Sequence, residues 1–176
     1  MRNVNEGQLA DLLAKLPNNP RVVASGNFAA PNTLLRVLDK SVSTFRLHML
    51  NAQPGIPDRE GITFESAFVG SGMRGSVRLE YVPSRLSLVP VLFRDHYIPD
   101  VVLLHTSRPE QNKVSLGTEV NILPAAIEAA RRNGGLVIAQ ANPNMPYTFG
   151  DSKIALDDID FLIEASEPLQ VKPLIE

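Results

Sequence analysis

The groups in this chain best suited to hold a ligand are glycines, asparagines and one arginine gathered in loops. The first loop is Gly26-Asn27-Phe28-Ala29-Ala30-Pro31, between an apolar run and a helical pattern. A glycine there lets the backbone approach a ligand with amide donors aimed at it. The loop lacks the spacing of a dinucleotide fingerprint or a phosphate loop, so a plain strand-to-helix turn explains it equally well. Gly70-Ser71-Gly72-Met73-Arg74-Gly75 is denser. Its amides, hydroxyl and guanidinium could grip a carboxylate or phosphoryl oxygen, and a surface turn with a solvated arginine fits equally. Asn142-Pro143-Asn144-Met145-Pro146 has a backbone stiffened by proline, able to hold Asn144 and Met145 in place or to serve as a rigid turn.

Groups that break bonds are sparse. There is no cysteine, which excludes a disulfide scaffold, a thiol nucleophile and a thiolate metal site. The three histidines, His48, His96 and His105, are scattered. His48 reads as a satisfied strand histidine, and the other two have no evident partner. Asp157, Asp158 and Asp160 invite a metal reading, but no histidine or further carboxylate stands at ligand spacing, and a turn before a last strand is the better account. No G-x-S-x-G motif is present.

The elements that must position these loops follow from periodicity. Leu9, Leu12, Leu13 and Leu16 predict an amphipathic helix ended by Pro17. Strands are predicted at 21–25, 44–50, 62–69, 101–104, 112–116, 136–139 and 159–163. A helix is predicted over 32–39, capped by Asn32 or Thr33, and a second opens at Asn121 and closes at Gly134. The segment 86–93 is either a helix interrupted at Pro90 or an extended piece. Strands that are apolar throughout, alternating with helices, predict an α/β fold: a mainly parallel sheet with helices on both faces, in a single domain over 1–176. Ligands then collect beyond the carboxyl ends of the strands, where the glycine loops fall.

With 17 basic and 19 acidic residues among 176, the net charge of −2 gives no electrostatic footing for nucleic acid. No apolar run reaches a membrane span, and the first residues are wrong for a signal peptide. The expectation is a soluble cytoplasmic protein with neither nucleic-acid nor membrane partners.

Two stretches carry a family resemblance: VSLGTEVNILPAAIEAA, 114–130, and VIAQANPNMPYTFGDSKIALDDIDFLIEASEPL, 137–169. Ser115, Leu116, Gly117, Asn142, Asn144, Met145, Pro146, Gly150, Asp151 and Asp160 stand in a Ser-Leu-Gly turn, helix, strand, Asn-x-x-x-Pro, Gly-Asp and final Asp pattern. Gly26 with Pro31, Phe68, Gly70 with Arg74, and Tyr81 with Pro83 are weaker matches. Together they resemble the N-terminal half of the acetyl-CoA hydrolase/transferase family, which includes acetate, butyrate and 4-hydroxybutyrate CoA-transferases and has the CoA-transferase fold.

The resemblance implies an enzyme of acyl-CoA and acetate metabolism, built of two α/β halves, whose acyl-carrying glutamate belongs to the second half. Glu65, Glu80 and Glu119 are therefore not assigned that role, and this chain alone is expected to be inactive. Its substrates would be an acyl-CoA and a small carboxylate, with coenzyme A as substrate and no metal or redox cofactor. The expected partner is a second half in the same or another chain, with self-association as a further outcome. Gly26, Asn27, Ser71, Gly72, Met73 and Arg74 are expected to place the acyl group or carboxylate, and Asn142, Asn144 and Met145 to form a wall. Gly72→Val and Arg74→Ala are expected to lower turnover with little loss of stability. The competing expectation is a non-catalytic ligand-binding or regulatory domain, or one subunit of a heteromeric transferase. A sugar-phosphate isomerase is weaker, because Lys40, Lys113 and Lys153 fall into no matching motif.

Overall fold

A computed structural model describes residues 1–172. Its centre is an eight-stranded sheet in the order β1-β10-β8-β6-β2-β3-β4-β5. The strands are β1 Arg2–Asn3, β2 Arg21–Ala24, β3 Phe45–His48, β4 Ile62–Ser66, β5 Leu79–Tyr81, β6 Val101–Thr106, β8 Leu136–Ala141 and β10 Phe161–Glu164. All pairings are parallel, so every carboxyl end lies along one edge. From β2 the chain builds outward through β3, β4 and β5, then returns to the other side of β2 with β6. The strand order therefore reverses between β2 and β6, and in open parallel sheets ligands bind beyond the carboxyl ends at such a point. The antiparallel ribbon of β7 Lys113–Ser115 and β9 Lys153–Ala155 is hooked to the end of β6, where Ser107 N–H donates to the Ser115 carbonyl at 2.8 Å.

Strand alternation divides the core in two. Val22, Ala24, Leu47, Phe64 and Leu103 pack beneath α1 Glu6–Leu13 and α2 Asn32–Ser41. Val23, Val102, Leu104, Val137 and Ala139 pack against α3 Val89–Asp95 and α4 Leu123–Asn133. Residues two apart share a face and neighbours take opposite ones, which is why the central strands β2, β6 and β8 carry unbroken apolar runs.

Several expectations need correction. Neither Asn32 nor Thr33 caps α2: Pro31 holds the N-cap position without a side-chain bond. Instead Gln140 of β8 reaches across, its Oε1 accepting from the backbone N–H of Thr33 at 3.1 Å and of Leu34 at 3.4 Å. Asn121 precedes α4 without capping it, and Pro124 occupies the first turn. The ambiguous segment is a single 3-10 turn, Leu86–Leu88, leading into α3 with Pro90 in its first turn. The strand predicted near 112–116 lies outside the main sheet, and β1, β5 and β9 were not predicted, each being three residues or shorter. Asp160 is structural: it accepts from Arg131 at 2.7 Å and from the Val137 N–H at 2.8 Å. Among the described residues no helix is long and apolar enough to cross a membrane.

Candidate ligand site at the carboxyl edge

At the end of β2, Gly26 lies so close to β3 that a Cβ would collide with the Leu50 carbonyl oxygen. The chain then turns through Asn27, whose φ of 46° is a left-handed conformation that asparagine tolerates better than most residues. At the end of β3, Asn51 has nearly the same φ, 47°. The two are joined: Asn51 Nδ2 donates to Asn27 Oδ1 at 2.7 Å, and Asn27 Nδ2 donates to Glu119 Oε2. Glu119 is buried in the loop after β7, and its Oε1 accepts from Asn121 Nδ2 at 3.0 Å. One carboxylate therefore ties together the turns after β2, β3 and β7, beside the switch point.

The Gly70–Gly75 loop packs onto the same region from the other side. A Cβ on Gly70 would strike the Ala52 backbone and one on Gly72 the Gln53 carbonyl. Gly72 N–H donates to Ala52 O at 2.8 Å. These glycines exist for loop-on-loop packing, so the expectation that Gly72→Val spares stability is corrected: added volume there meets backbone. Met73 is fully buried in the core beneath α2 and does not face the edge. Ser71 and Arg74 are exposed, and the Arg74 guanidinium stands 3.4 Å from the Val69 carbonyl.

The Asn142–Met145 loop forms a second cluster across the switch point. Asn142 is buried with its amide fully used. Its Nδ2 donates to the Glu167 carbonyl at 2.8 Å and lies 3.0 Å from His105 Nε2, while its Oδ1 accepts from Asn144 N–H at 3.1 Å. This orientation makes His105 Nε2 an acceptor and leaves the ring proton on Nδ1, which has no partner. Burial pushes the His105 imidazole down, against the opposing effects of the Glu167 charge and the Ala29 and Ala30 backbone. Asn144 is exposed and donates to the Glu167 carbonyl at 2.9 Å. Met145 is buried where a Cβ on Gly117 would stand, so that glycine, at φ 63°, makes room for its sulfur. Ser115 Oγ staples this wall by accepting from Gly117 N–H at 3.1 Å and Thr148 N–H at 2.9 Å.

The structure thus brings Gly26, Asn27, Asn51 and Glu119 together, places Asn142 and Asn144 opposite, and leaves Met73 and Met145 as packing residues. Asn51, Gln140 and Glu167 have no place in the sequence reading; Glu119 enters it only as a carboxylate not assigned as nucleophile, and His105, expected to lack a partner, has one in Asn142. An asparagine directly after an apolar strand signals a left-handed turn, and that signal could have found Asn51.

The other two carboxylates set aside from the sequence sit elsewhere. Glu65 on β4 is buried between Arg21, at 2.9 Å, and Arg46, and Glu80 on the edge strand also pairs with Arg46. Burial alone would push the Glu65 carboxyl up; His48, Arg21 and Arg46 outweigh it and hold the group at about 2. His48 is not the satisfied histidine expected. It is fully buried, its Nδ1 lies 3.7 Å from Glu65, and neither ring nitrogen makes a hydrogen bond. It packs instead edge-on to Phe93, with ring centres 5.3 Å apart.

No protein-family model matches the chain. It is 34% identical over 170 residues to a 4-hydroxybutyrate coenzyme A transferase of Clostridium kluyveri, covering 89% of this chain and 39% of that protein. It is 28% identical over 166 residues to a succinyl-CoA:acetate/propanoyl-CoA:succinate CoA transferase of Fasciola hepatica, covering 87% of this chain and 34% of that protein. The chain therefore spans well under half the length of these curated relatives, as an N-terminal half would. Among solved structures it superposes on RipA from Yersinia pestis with a TM-score of 0.85 at 18% identity, over 99% of this chain and 44% of that one. A 4-hydroxybutyrate CoA-transferase from Porphyromonas gingivalis gives 0.69 at 18% identity, over 96% of this chain and 40% of that one.

Proposed function

We propose that this chain, related in sequence and fold to the CoA-transferases, forms the first half of an enzyme that moves coenzyme A between an acyl-CoA thioester and a carboxylate or water. One observation carries this: 34% identity to a CoA-transferase across 89% of the chain. The reaction begins when a glutamate carboxylate, supplied from outside this chain, attacks the thioester carbonyl. A mixed anhydride forms and CoA thiolate departs. The thiolate then attacks the glutamyl carbonyl, giving a glutamyl-CoA thioester and releasing the acyl group as its carboxylate. The acceptor carboxylate reverses these steps, and water entering instead gives hydrolysis. Each attack builds an oxyanion that pre-aimed donors stabilise by a few kcal/mol.

In this reading the carboxyl edge of the sheet lines the acyl side of the cleft. Gly26 and Asn27 offer backbone close to the acyl group, Ser71 and Arg74 stand exposed to meet a carboxylate, and Asn144 stands on the opposing wall, anchored by Asn142. The three carboxylates of this chain discussed above are each engaged: Glu65 with two arginines, Glu80 with Arg46, Glu119 with two asparagine amides. Their engagement supports a nucleophile from elsewhere. The test is CoA transfer from acetyl-CoA to propionate by the full-length protein carrying this chain, beside residues 1–176 alone. Turnover by the whole and none by the chain is expected. An inactive full-length protein, or turnover by residues 1–176 alone, overturns the proposal.

A further inference from the structure

The hydrogen bonds leaving Glu119 have a fixed direction. A carboxylate accepts and does not donate, so Asn27 must turn its Nδ2 toward Glu119 and its Oδ1 away. Asn51 must then turn its own Nδ2 toward that oxygen, which it does at 2.7 Å. Its remaining polar atom, Oδ1, has no hydrogen-bond partner among the described residues. The Asn51 backbone is held on both sides, its N–H donating to Phe68 O at 2.6 Å and its carbonyl accepting from Gln53 Nε2 at 2.8 Å. The relay therefore ends at the carboxyl edge in one free acceptor of fixed place and polarity.

We infer that Asn51 Oδ1 is a ligand-binding acceptor, that Glu119 is the positioning residue that sets its polarity through Asn27, and that the ligand group lodged there is a donor, an amide N–H or a hydroxyl. This rests on the proposed binding of acyl-CoA at the carboxyl edge, and coenzyme A carries both kinds of donor. A ligand oxygen without a proton would face Asn51 Oδ1 lone pair to lone pair and is disfavoured at this point.

The test uses the full-length protein carrying this chain and acetyl-CoA as probe, with dissociation constants from calorimetry. Asn51→Ala removes the acceptor. Glu119→Met keeps the side-chain volume but frees Asn27 and Asn51 to turn. Glu119→Gln can still accept from Asn27, because exposed Asn121 is free to reverse its amide. Asn51→Ala and Glu119→Met should each weaken binding roughly tenfold, and the double variant no further, because both remove the same bond. Glu119→Gln should stay within about twofold of the parent. Additive losses, or parent-like binding by Asn51→Ala, overturn the inference. Selective 15N-asparagine spectra decide the relay separately: the Asn51 side-chain signals should move in Glu119→Met and hold in Glu119→Gln, and signals unmoved in Glu119→Met contradict it. Should the parent bind no acetyl-CoA, the functional proposal and the ligand assignment both fail, and the spectra still judge the relay.

Discussion

Replacing Glu65 with glutamine should expose how much of the stability rests on one buried charge. Its carboxyl is held at about 2 against an ordinary 4.5. At 1.36 kcal/mol per pH unit, that difference corresponds to about 3 kcal/mol of stability at pH 7. The folded-state pKa is depressed, so this contribution is complete above the unfolded value and is lost as pH falls toward the folded one. At pH 3 about 1 kcal/mol should remain. Glutamine cannot carry the charge, and it leaves Arg21 stacked on Tyr97 but without its carboxylate, while Arg46 keeps Glu80. Urea unfolding of parent and Glu65→Gln at pH 7 and pH 3 reads the effect directly. All other carboxylates titrate in both proteins and cancel in the difference. A gap of about 3 kcal/mol that narrows to about 1 supports the account. A gap that stays constant with pH, or is absent at pH 7, refutes the assignment of Glu65 as a depressed, paired carboxylate.

Gly26→Ala and Gly72→Ala should each cost about 2 kcal/mol or more in denaturant unfolding, because the added methyl meets backbone carbonyls that cannot swing away; unchanged midpoints would mean the loops are looser than described. Gln140→Ala removes the cap on α2 and the 2.5 Å bond to Glu167, and should lower unfolding free energy by about 1–2 kcal/mol, with faster amide exchange confined to the first turn of α2. Arg74→Ala, at an exposed position, should leave thermal unfolding within about 0.5 kcal/mol of the parent.

The central strands were legible because they are buried on both faces, and 101–104 in β6 and 136–139 in β8 announce this as unbroken apolar runs. The closing turn of α4 was legible from Gly134, at φ 76°. The short edge strands were not, since two or three residues carry no period. The α2 cap was missed because the acceptor for its first amides is Gln140 Oε1, more than a hundred residues away. The site divides in the same way. Its loops were found from glycine and proline, but Gly70 and Gly72 serve packing, and Met73 points inward through an alternation that a turn does not display. Glu119 is set aside as a nucleophile, and its tie to Asn27, from the turn after β2, is a tertiary fact, whereas its bond to Asn121 is local.

In the proposed function this chain supplies the wall of a CoA-transfer cleft and the carboxylate carrying CoA lies outside it. The most direct measurement is to incubate the full-length protein with acetyl-CoA, reduce the enzyme-bound thioester with borohydride, and locate the modified residue by peptide mass spectrometry. One reduced glutamate outside residues 1–176 is expected, with Glu65, Glu80 and Glu119 unmodified. A reduced glutamate within residues 1–176, abolished by replacing that residue, would contradict it.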